Sequence, residues 1–139
     1  MELFFDSNVL LKYMAGDEMA ARVVEENSGY INSTVVSEVT YGYIRTITDM
    51  SPFDLKNRFA TVNVDLEPVR TLLERFTEIP VPPASTILTV ISKYKLLPND
   101  ATILASMQMA GIKSLATFDA DFKRAKNIRL VPEEYWKSK

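Results

Sequence analysis

Short apolar runs alternate along the chain with longer stretches in which apolar residues recur at helical spacing. The apolar runs predict strands at residues 2–5, 30–31, 114–117 and 128–131, and a short strand or extended link at 79–81. Helical spacing and capping residues predict helices at residues 8–14, 17–27, 33–47, 51–60, 65–77, 85–94, 101–110 and 121–125. Because the connections are long enough for parallel pairing, this pattern predicts an α/β fold. We expect a three-layer α/β/α sandwich around a small central parallel sheet.

The longest predicted helix, residues 33–47, contains an unusual glycine. Ser33 or Thr34 is the expected N-cap. The predicted apolar stripe consists of Val36, Val39, Tyr43 and Ile47. Gly42 lies inside this helix, where glycine costs about 1 kcal/mol relative to alanine. We therefore expect another backbone or a substrate to approach the helix closely at Gly42.

Length and composition are those of an ordinary globular protein. The 139 residues predict a single domain spanning 1–139, and 47% of them are hydrophobic. No apolar run approaches the roughly 20 residues of a membrane span. The amino terminus has no basic segment typical of a signal peptide, and the chain has no cysteine for disulfides. These features favour a cytoplasmic location without a membrane partner.

Short acidic motifs lie where predicted strands end or helices begin, and one lies within the long helix. Their acidic residues are Asp6, Glu38, Asp100, Asp119 and Asp121. Asp6 directly follows the first predicted strand, and Asp119 follows a later strand by one residue. Ligands of open parallel sheets bind beyond the carboxyl ends of the strands, so both residues are expected at the ligand-binding edge.

Each acidic motif has an ordinary explanation when it is taken alone. Helix capping accounts for Asp6, for Asp100 and for an aspartate at 119 or 121. A solvated side chain paired with Arg45 accounts for Glu38. The motifs carry information only as a set, because clustered carboxylates repel one another unless a cation compensates their charge.

The absence of histidine and cysteine restricts the chemistry of any hydrolytic site. Such a site must consist of carboxylates, hydroxyls, amides and a hard metal ion. Oxygen ligands suit Mg²⁺, which keeps several waters while it contacts one or two carboxylates and a substrate phosphate. This combination favours Mg²⁺- or Mn²⁺-dependent chemistry on phosphate, and a nuclease is the leading hypothesis.

Charge is distributed unevenly although the net charge is only −2. Residues 1–90 carry 7 basic and 13 acidic side chains, whereas residues 91–139 carry 9 basic and 5 acidic ones. Three of those five acids belong to the motifs above. With a metal ion bound to them, the carboxyl-terminal third would present a more positive surface to phosphate.

The ordered set of motifs resembles the PIN-domain ribonucleases, and most closely the small prokaryotic toxins of the VapC type. The matching segments are Phe-Asp-Ser-Asn-Val-Leu at 5–10, Val-Ser-Glu-Val at 36–39, Asn-Asp-Ala-Thr-Ile-Leu-Ala at 99–105 and Leu-Ala-Thr-Phe-Asp-Ala-Asp-Phe at 115–122. The resemblance covers nearly the whole chain. It implies a central parallel sheet with acids converging at one end, and Mg²⁺- or Mn²⁺-dependent endonucleolytic cleavage of RNA.

The resemblance also implies roles for individual residues and for partners. Asp6, Glu38, Asp100 and Asp119 match the acidic quartet of the family, and Asp121 matches a further acidic position. Asn8 and Thr117 match polar positions that line the site. Toxins of this type are homodimers inhibited by a cognate antitoxin whose tail covers the site. Apolar surface on the helices at 17–27 or 51–77 is a candidate interface with such partners.

The interpretation drawn from these residues is a metal-dependent endoribonuclease with one site. In this interpretation Asp6, Asp100 and Asp119 hold the metal directly or through water, while Glu38 and Asp121 orient the attacking water or a second ion. The basic side chains predicted to hold RNA phosphates are Lys93, Lys95, Lys123, Arg124 and Lys126.

Three other functions compete with this interpretation. One is an RNA-processing nuclease of the same fold that is not a toxin. Another is a binding module for RNA or protein that has lost catalysis, although the complete acidic set counts against it. The last is an aspartyl-phosphate phosphatase, which usually has a second aspartate two residues after the nucleophile. Asn8 occupies that position here.

Overall fold

A five-stranded sheet in which all neighbouring strands pair in parallel forms the centre of the fold. The computed structural model describes residues 2–139. The strands are β1 (Leu3–Phe5), β2 (Gly29–Ile31), β3 (Thr77–Glu78), β4 (Ser114–Ala116) and β5 (Arg129–Val131), in the spatial order β3-β2-β1-β4-β5. The predicted α/β sandwich is confirmed.

Helices connect and flank these strands. They are α1 (Ser7–Met14), α2 (Glu18–Glu26), α3 (Ser33–Thr48), α4 (Pro52–Arg58), α5 (Glu67–Leu73), α6 (Ala84–Tyr94), α7 (Pro98–Ala110) and α8 (Glu133–Lys137). Short 3₁₀ helices occupy Phe59–Thr61 and Ala120–Arg124. No helix among residues 2–139 has the length and apolar character needed to cross a membrane.

The order of the strands places the site. The chain runs outward from β1 through β2 to β3 and then returns to the other side of β1 with β4. The boundary between β1 and β4 is therefore the point at which strand order reverses, and ligands of open α/β sheets bind in the crevice there. The backbone N–H of Asp6 still donates to the Ala116 carbonyl at 2.9 Å, so the segments after both strands begin side by side.

Both faces of the central strands are covered, which explains their continuous apolar character. Every residue of β1 and β4 is buried, and Phe4, Phe5 and Leu115 have no exposed surface. Burial on both faces holds these strands in place. It thereby positions the residues that follow them at the carboxyl edge of the sheet.

Gly29, the first residue of β2, allows β1 and β2 to approach. A Cβ atom there would lie 2.5 Å from the Leu3 carbonyl oxygen and 2.5 Å from the Phe5 ring. We expect Gly29→Ala to lower the free energy of unfolding by about 1–3 kcal/mol, because neither backbone nor a buried ring can move away without strain. Urea denaturation measures this change, and Ser28→Ala, at an exposed neighbour, is the control. Equal stability of the two variants would contradict the expectation.

The third strand lies at Thr77–Glu78, so the strand alternative for 79–81 is wrong, and these residues form the link that follows β3. Both residues of β3 are exposed at the edge of the sheet and give no apolar signal. Ile79 still donates to the Ile31 carbonyl at 2.8 Å, but Pro80 has no N–H with which to continue the ladder.

The helices also differ from the prediction in detail. The helix predicted at 65–77 spans only Glu67–Leu73, because a turn follows in which Phe76 donates to the Leu73 carbonyl and packs against Phe5. The terminal helix α8 was not predicted, since five residues carry too little periodicity.

The cap and stripe predicted for α3 were partly wrong. The N-cap is Asn32, whose side chain accepts from the Val35 N–H, rather than Ser33 or Thr34. Asn32 is completely buried and also donates to the Ser106 hydroxyl at 3.0 Å, so the cap ties α3 to α7. Of the predicted stripe, Ile47 is 56% exposed and does not join the core.

Candidate active site at the carboxyl edge of the sheet

Asp6 lies at the junction of β1 and α1 with only 3% of its surface exposed. Its carboxylate caps α1 by accepting the Ser7 N–H at 2.8 Å. The other oxygen accepts the Thr117 hydroxyl at 2.7 Å and the Asn8 side-chain amide at 3.2 Å. Asp6 is therefore both a helix cap and a member of the site, and its neighbours hold it in one orientation.

Thr117 connects Asp6 to the segment that follows β4. Its hydroxyl donates to Asp6 and accepts the Asp119 backbone N–H at 3.0 Å and the Asn8 side-chain amide at 3.4 Å. The side-chain oxygen of Asn8, Oδ1, in turn accepts the Phe118 backbone N–H at 3.1 Å. The two polar residues expected to line the site thus lie together beside Asp6 and fix the course of residues 117–119.

Glu38 reaches the site from α3, and both of its oxygens are held. One accepts the Ser7 hydroxyl at 3.0 Å and the other accepts the Asn99 side-chain amide at 3.1 Å. The alternative of a solvated glutamate paired with Arg45 is wrong, because Arg45 directs its Nε toward the Met50 carbonyl. Nothing in the sequence predicts the contact with Asn99, at the start of α7, except that Asn99 directly precedes Asp100.

Asp100, Asp119 and Asp121 form the tightest acidic group among residues 2–139. Each offers an oxygen, and these three oxygens lie within 4.8 Å of one another. Asp100 occupies the first turn of α7, after Leu97 and Pro98, so the capping explanation for it is wrong. Asp119 does cap the 3₁₀ helix, by accepting the Asp121 N–H at 2.9 Å. The group contains Asp121 where the sequence-based metal set contained Asp6.

Electrostatic repulsion and burial act together on two of these acids. Burial is the main cause that raises the pKa of Asp6 to about 6, opposed by the Thr117 hydrogen bond and reinforced by Glu38. Burial followed by repulsion from Asp6 and Asp119 raises the pKa of Asp100 to about 7. Near neutral pH Asp100 is therefore only partly ionised, and a nearby cation would favour the ionised form of both carboxylates.

The donor set fits a hard divalent cation. The triad Asp100, Asp119 and Asp121 offers three carboxylate oxygens, the type of donor that Mg²⁺ and Mn²⁺ prefer. In an octahedral Mg²⁺ site with bonds of about 2.1 Å, neighbouring oxygens lie about 3 Å apart and opposite ones about 4 Å apart. Oxygens within 4.8 Å therefore need only small side-chain shifts to share an ion.

A groove beside Glu38 runs between α1 and α3. Its lining includes Ser7, Tyr41, Arg45 and Asn99. A close approach is present at Gly42, but it is made by a side chain and not by another backbone or a substrate. A Cβ atom there would lie 2.7 Å from a methyl carbon of Leu11, a partly buried residue on α1.

The basic residues predicted to hold phosphate also come together. A surface depression is lined by Lys93, Tyr94, Lys95, Lys123, Arg124 and Lys126. Arg124 extends toward the acidic triad, with its Nη2 3.4 Å from an oxygen of Asp121. The contact between Arg124 and Asp121 therefore joins the basic depression to the acidic triad.

The sequence of this chain matches a known protein family. The model of the PIN domain matches residues 3–128. The chain belongs to the PIN-domain family. The predicted resemblance is thereby confirmed over nearly the whole chain.

Relatives of this PIN domain cover it almost completely. It is 33% identical to ribonuclease VapC2 of Methanocaldococcus jannaschii, over 94% of this chain and 93% of the relative. It is 30% identical to ribonuclease VapC6 of the same organism, over 94% and 97% respectively. A chain of a toxin–antitoxin complex from Klebsiella pneumoniae has the same fold, with a TM-score of 0.66 and 23% identity over 86% of this chain and 89% of that chain.

In this PIN domain two residues of α8 also hold the segment that follows β4, which the sequence did not indicate. Trp136 of α8 donates its indole N–H to the Thr117 carbonyl at 3.1 Å. Tyr135 donates its hydroxyl to the Phe118 carbonyl at 3.5 Å, and its ring packs edge-on against Phe118. These contacts hold the segment between β4 and Asp119 in addition to the contacts made by Asn8. A short terminal helix gives no sequence signal for such a role.

Proposed function

We propose that this PIN domain is a Mg²⁺- or Mn²⁺-dependent endoribonuclease that hydrolyses RNA phosphodiester bonds. One observation carries the proposal: Asp100, Asp119 and Asp121 converge within 4.8 Å, next to the buried Asp6. A group of carboxylates at such distances is stable in its ionised form when it shares a cation. The ribonuclease names of the two Methanocaldococcus relatives support the same activity.

Each acid has a proposed part in this chemistry. The triad would hold the metal, and Asp6, fixed by Thr117 and Asn8, would support it through water. The bound ion would lower the pKa of a coordinated water and stabilise charge on the phosphodiester. Glu38, held at both oxygens by Ser7 and Asn99, orients the attacking water.

We further propose that the nuclease is the toxin of a toxin–antitoxin pair, acts as a cytoplasmic homodimer and is inhibited by a cognate antitoxin. The VapC names of the relatives and the toxin–antitoxin complex from Klebsiella pneumoniae support this partner. Three large apolar residues are exposed in the predicted interface segment 51–77: Phe53 is 75% exposed, Phe59 is 44% exposed and Leu66 is 41% exposed. A nuclease of RNA maturation with the same site is the second candidate.

The geometry disfavours the aspartyl-phosphate phosphatase. A nucleophilic carboxylate needs an accessible oxygen, whereas Asp6 is 3% exposed and both of its oxygens accept hydrogen bonds. The complete acidic set equally disfavours a binding module without catalysis.

The proposal is tested by incubating the purified protein with a mixed pool of structured RNAs. Reactions contain Mg²⁺, Mn²⁺ or EDTA, and the variants are Asp6→Asn and, as a matched control, Glu25→Gln at an exposed position on α2. We expect discrete fragments that require metal, disappear in Asp6→Asn and persist in Glu25→Gln. Cleavage that persists in EDTA would refute metal dependence. No cleavage together with no Mn²⁺ binding in calorimetry would refute the nuclease.

Thr117 gives a separate test of the site's construction. We expect Thr117→Val to weaken Mn²⁺ binding by roughly 10- to 100-fold, the usual cost of losing a residue that supports metal ligands. Valine keeps the volume but removes the hydroxyl that binds Asp6 and the Asp119 N–H. Calorimetry measures the affinity, and Thr117→Ser should restore most of it. Wild-type affinity in Thr117→Val would show that this hydroxyl does not organise the ligands.

A further inference from the structure

Five basic side chains share one surface depression at the carboxyl end of α6. The residues that line it are Lys93, Tyr94, Lys95, Lys123, Arg124 and Lys126. Within residues 2–139, the four lysines form no ion pair with a carboxylate. In a chain of net charge −2, this is a concentration of uncompensated positive charge. Like charges gathered in one depression repel one another, and a polyanion relieves that repulsion.

Arg124 connects this depression to the acidic triad. Its Nη2 lies 3.4 Å from an oxygen of Asp121, and its Nη1 donates to the Lys95 carbonyl at 3.1 Å. Lys95 ends α6 in a left-handed conformation, with φ of 58°. The segment between α6 and α7 is thereby fastened to the 3₁₀ helix that carries Asp121. A nucleic-acid strand bound at Arg124 would therefore lie next to Asp121 of the triad.

Lysines of the depression cover the aromatic ring that lines it, Tyr94, and one ring outside its lining, Trp136. Lys93 lies over the Tyr94 ring, 5.2 Å from its centroid, and Lys123 lies over the Trp136 ring at 5.4 Å. These ring faces are not open for stacking on nucleobases, which is how proteins commonly bind unpaired bases. What the depression offers is ammonium groups, which bind phosphate oxygens as point charges.

We propose that this depression binds the backbone phosphates of the RNA next to the bond that is cleaved, without reading its sequence. The proposal rests on the proposed ribonuclease function and names how that site holds its substrate. Phosphate contacts fix the position and direction of a nucleic acid but carry no sequence information. The RNA sequence preference of the enzyme, if it has one, must then arise elsewhere in the site.

The test replaces two lysines that line the depression from different elements, Lys93 on α6 and Lys123 on the 3₁₀ helix. Lys93→Gln with Lys123→Gln is compared with Lys56→Gln with Lys113→Gln, which removes the same charge outside the depression. Lys113 precedes β4 and so lies at the opposite edge of the sheet. Arg124 is left unchanged, because its contact with Asp121 would alter the metal site as well.

Binding is measured by fluorescence anisotropy with a labelled single-stranded RNA of mixed sequence, in an Asp6→Asn background that does not cleave it. Each phosphate contact contributes about 0.7 to the slope of log affinity against log salt concentration for single strands. We expect the depression variant to lower the slope by about 1.4 and the affinity by roughly 10-fold, and the control pair to do neither.

Kinetics separate this proposal from the proposed function. In an otherwise wild-type chain, the depression variant should raise KM roughly 10-fold and leave kcat and Mn²⁺ affinity unchanged, because only ground-state binding is lost. An unchanged KM and an unchanged salt slope, with cleavage intact, would overturn the proposed phosphate binding by the depression but not the proposed ribonuclease function. Displacement of RNA by polyglutamate as effectively as by unlabelled RNA would overturn the RNA assignment in favour of an acidic protein partner. If the enzyme cleaves no RNA, the anisotropy measurement still decides whether the depression binds phosphates.

Discussion

Asp100→Asn is expected to abolish metal-dependent RNA cleavage and, at the same time, to stabilise the metal-free protein. Asparagine keeps the shape of the side chain but removes a charge from the triad with Asp119 and Asp121. Loss of residues that only support metal ligands costs 10- to 100-fold, so loss of a ligand should cost at least about 100-fold in cleavage rate.

The stabilisation follows from the raised pKa of Asp100, which is about 7 because of burial and four neighbouring acids. Above that pH the folded metal-free protein must carry an ionised carboxylate that its surroundings disfavour. The amide has no such cost. Because the side chain is partly exposed, we expect a modest rise in Tm, roughly 2–4 °C, which corresponds to about 1 kcal/mol in a domain of this size.

Thermal denaturation in EDTA above pH 7, beside a cleavage assay, measures both effects on the same preparation. Glu25→Gln is the matched control, since it removes a carboxylate from an exposed site on α2, and it should change neither quantity. An Asp100→Asn protein that cleaves RNA normally, or that melts at a lower temperature than wild type in EDTA, would contradict the proposed role of Asp100.

Divalent metal should stabilise the protein far more above pH 7 than near pH 5. The pKa values of Asp6, about 6, and Asp100, about 7, lie above the ordinary value of 3.8. For acids shifted in this direction, the contribution to stability is fully present below the unfolded pKa and is lost as pH rises through the folded pKa. The stability of the metal-free protein should therefore decline between about pH 4 and pH 7.

Bound Mn²⁺ reverses this trend, because it binds the ionised carboxylates that the metal-free protein disfavours. At a free metal concentration about 100 times Kd, binding to the folded state adds about 2.7 kcal/mol. Near pH 5 protons compete for the same oxygens, so little stabilisation is expected there. Differential scanning fluorimetry across pH, with Mn²⁺ and with EDTA, measures the difference between the two Tm curves.

A double variant, Asp6→Asn with Asp100→Asn, isolates the cause of the pH dependence. It lacks both carboxylates of raised pKa, so its curve in EDTA should fall less between pH 4 and pH 7, and Mn²⁺ should no longer raise it. Parallel Tm curves for the wild-type protein with and without Mn²⁺ would mean that the cluster does not bind the ion in its ionised form.

In both predictions, the acidic residues of the proposed site lower the stability of the metal-free protein. Stability and activity commonly oppose each other where function requires clustered charge. Here the loss is limited by Thr117, whose hydroxyl lowers the pKa of Asp6 against the effect of burial. The same hydroxyl fixes Asp119 through its backbone, so one side chain supports two acids that follow different strands.

The local pattern of residues was sufficient for the fold class and for the type of chemistry. Buried strands such as Leu3–Phe5 are continuous apolar runs, and Asp17 and Gly111 mark a helix start and a helix end, so those elements follow from sequence. The absence of histidine and cysteine directed any hydrolytic site to carboxylates and a hard cation. The expectation that Asp6 and Asp119 meet at one edge needed only the rule for parallel strands.

The tertiary structure alone decided which acids lie closest and what holds them. Asp121 rather than Asp6 completes the triad, because Asp6 turns into the core to cap α1 and accept from Thr117. Glu38 is held by Ser7 and Asn99, residues 31 and 61 positions away. Such contacts depend on where the strand order reverses and on how helices pack. A single sequence carries no local signal for side chains that become neighbours only when distant segments meet.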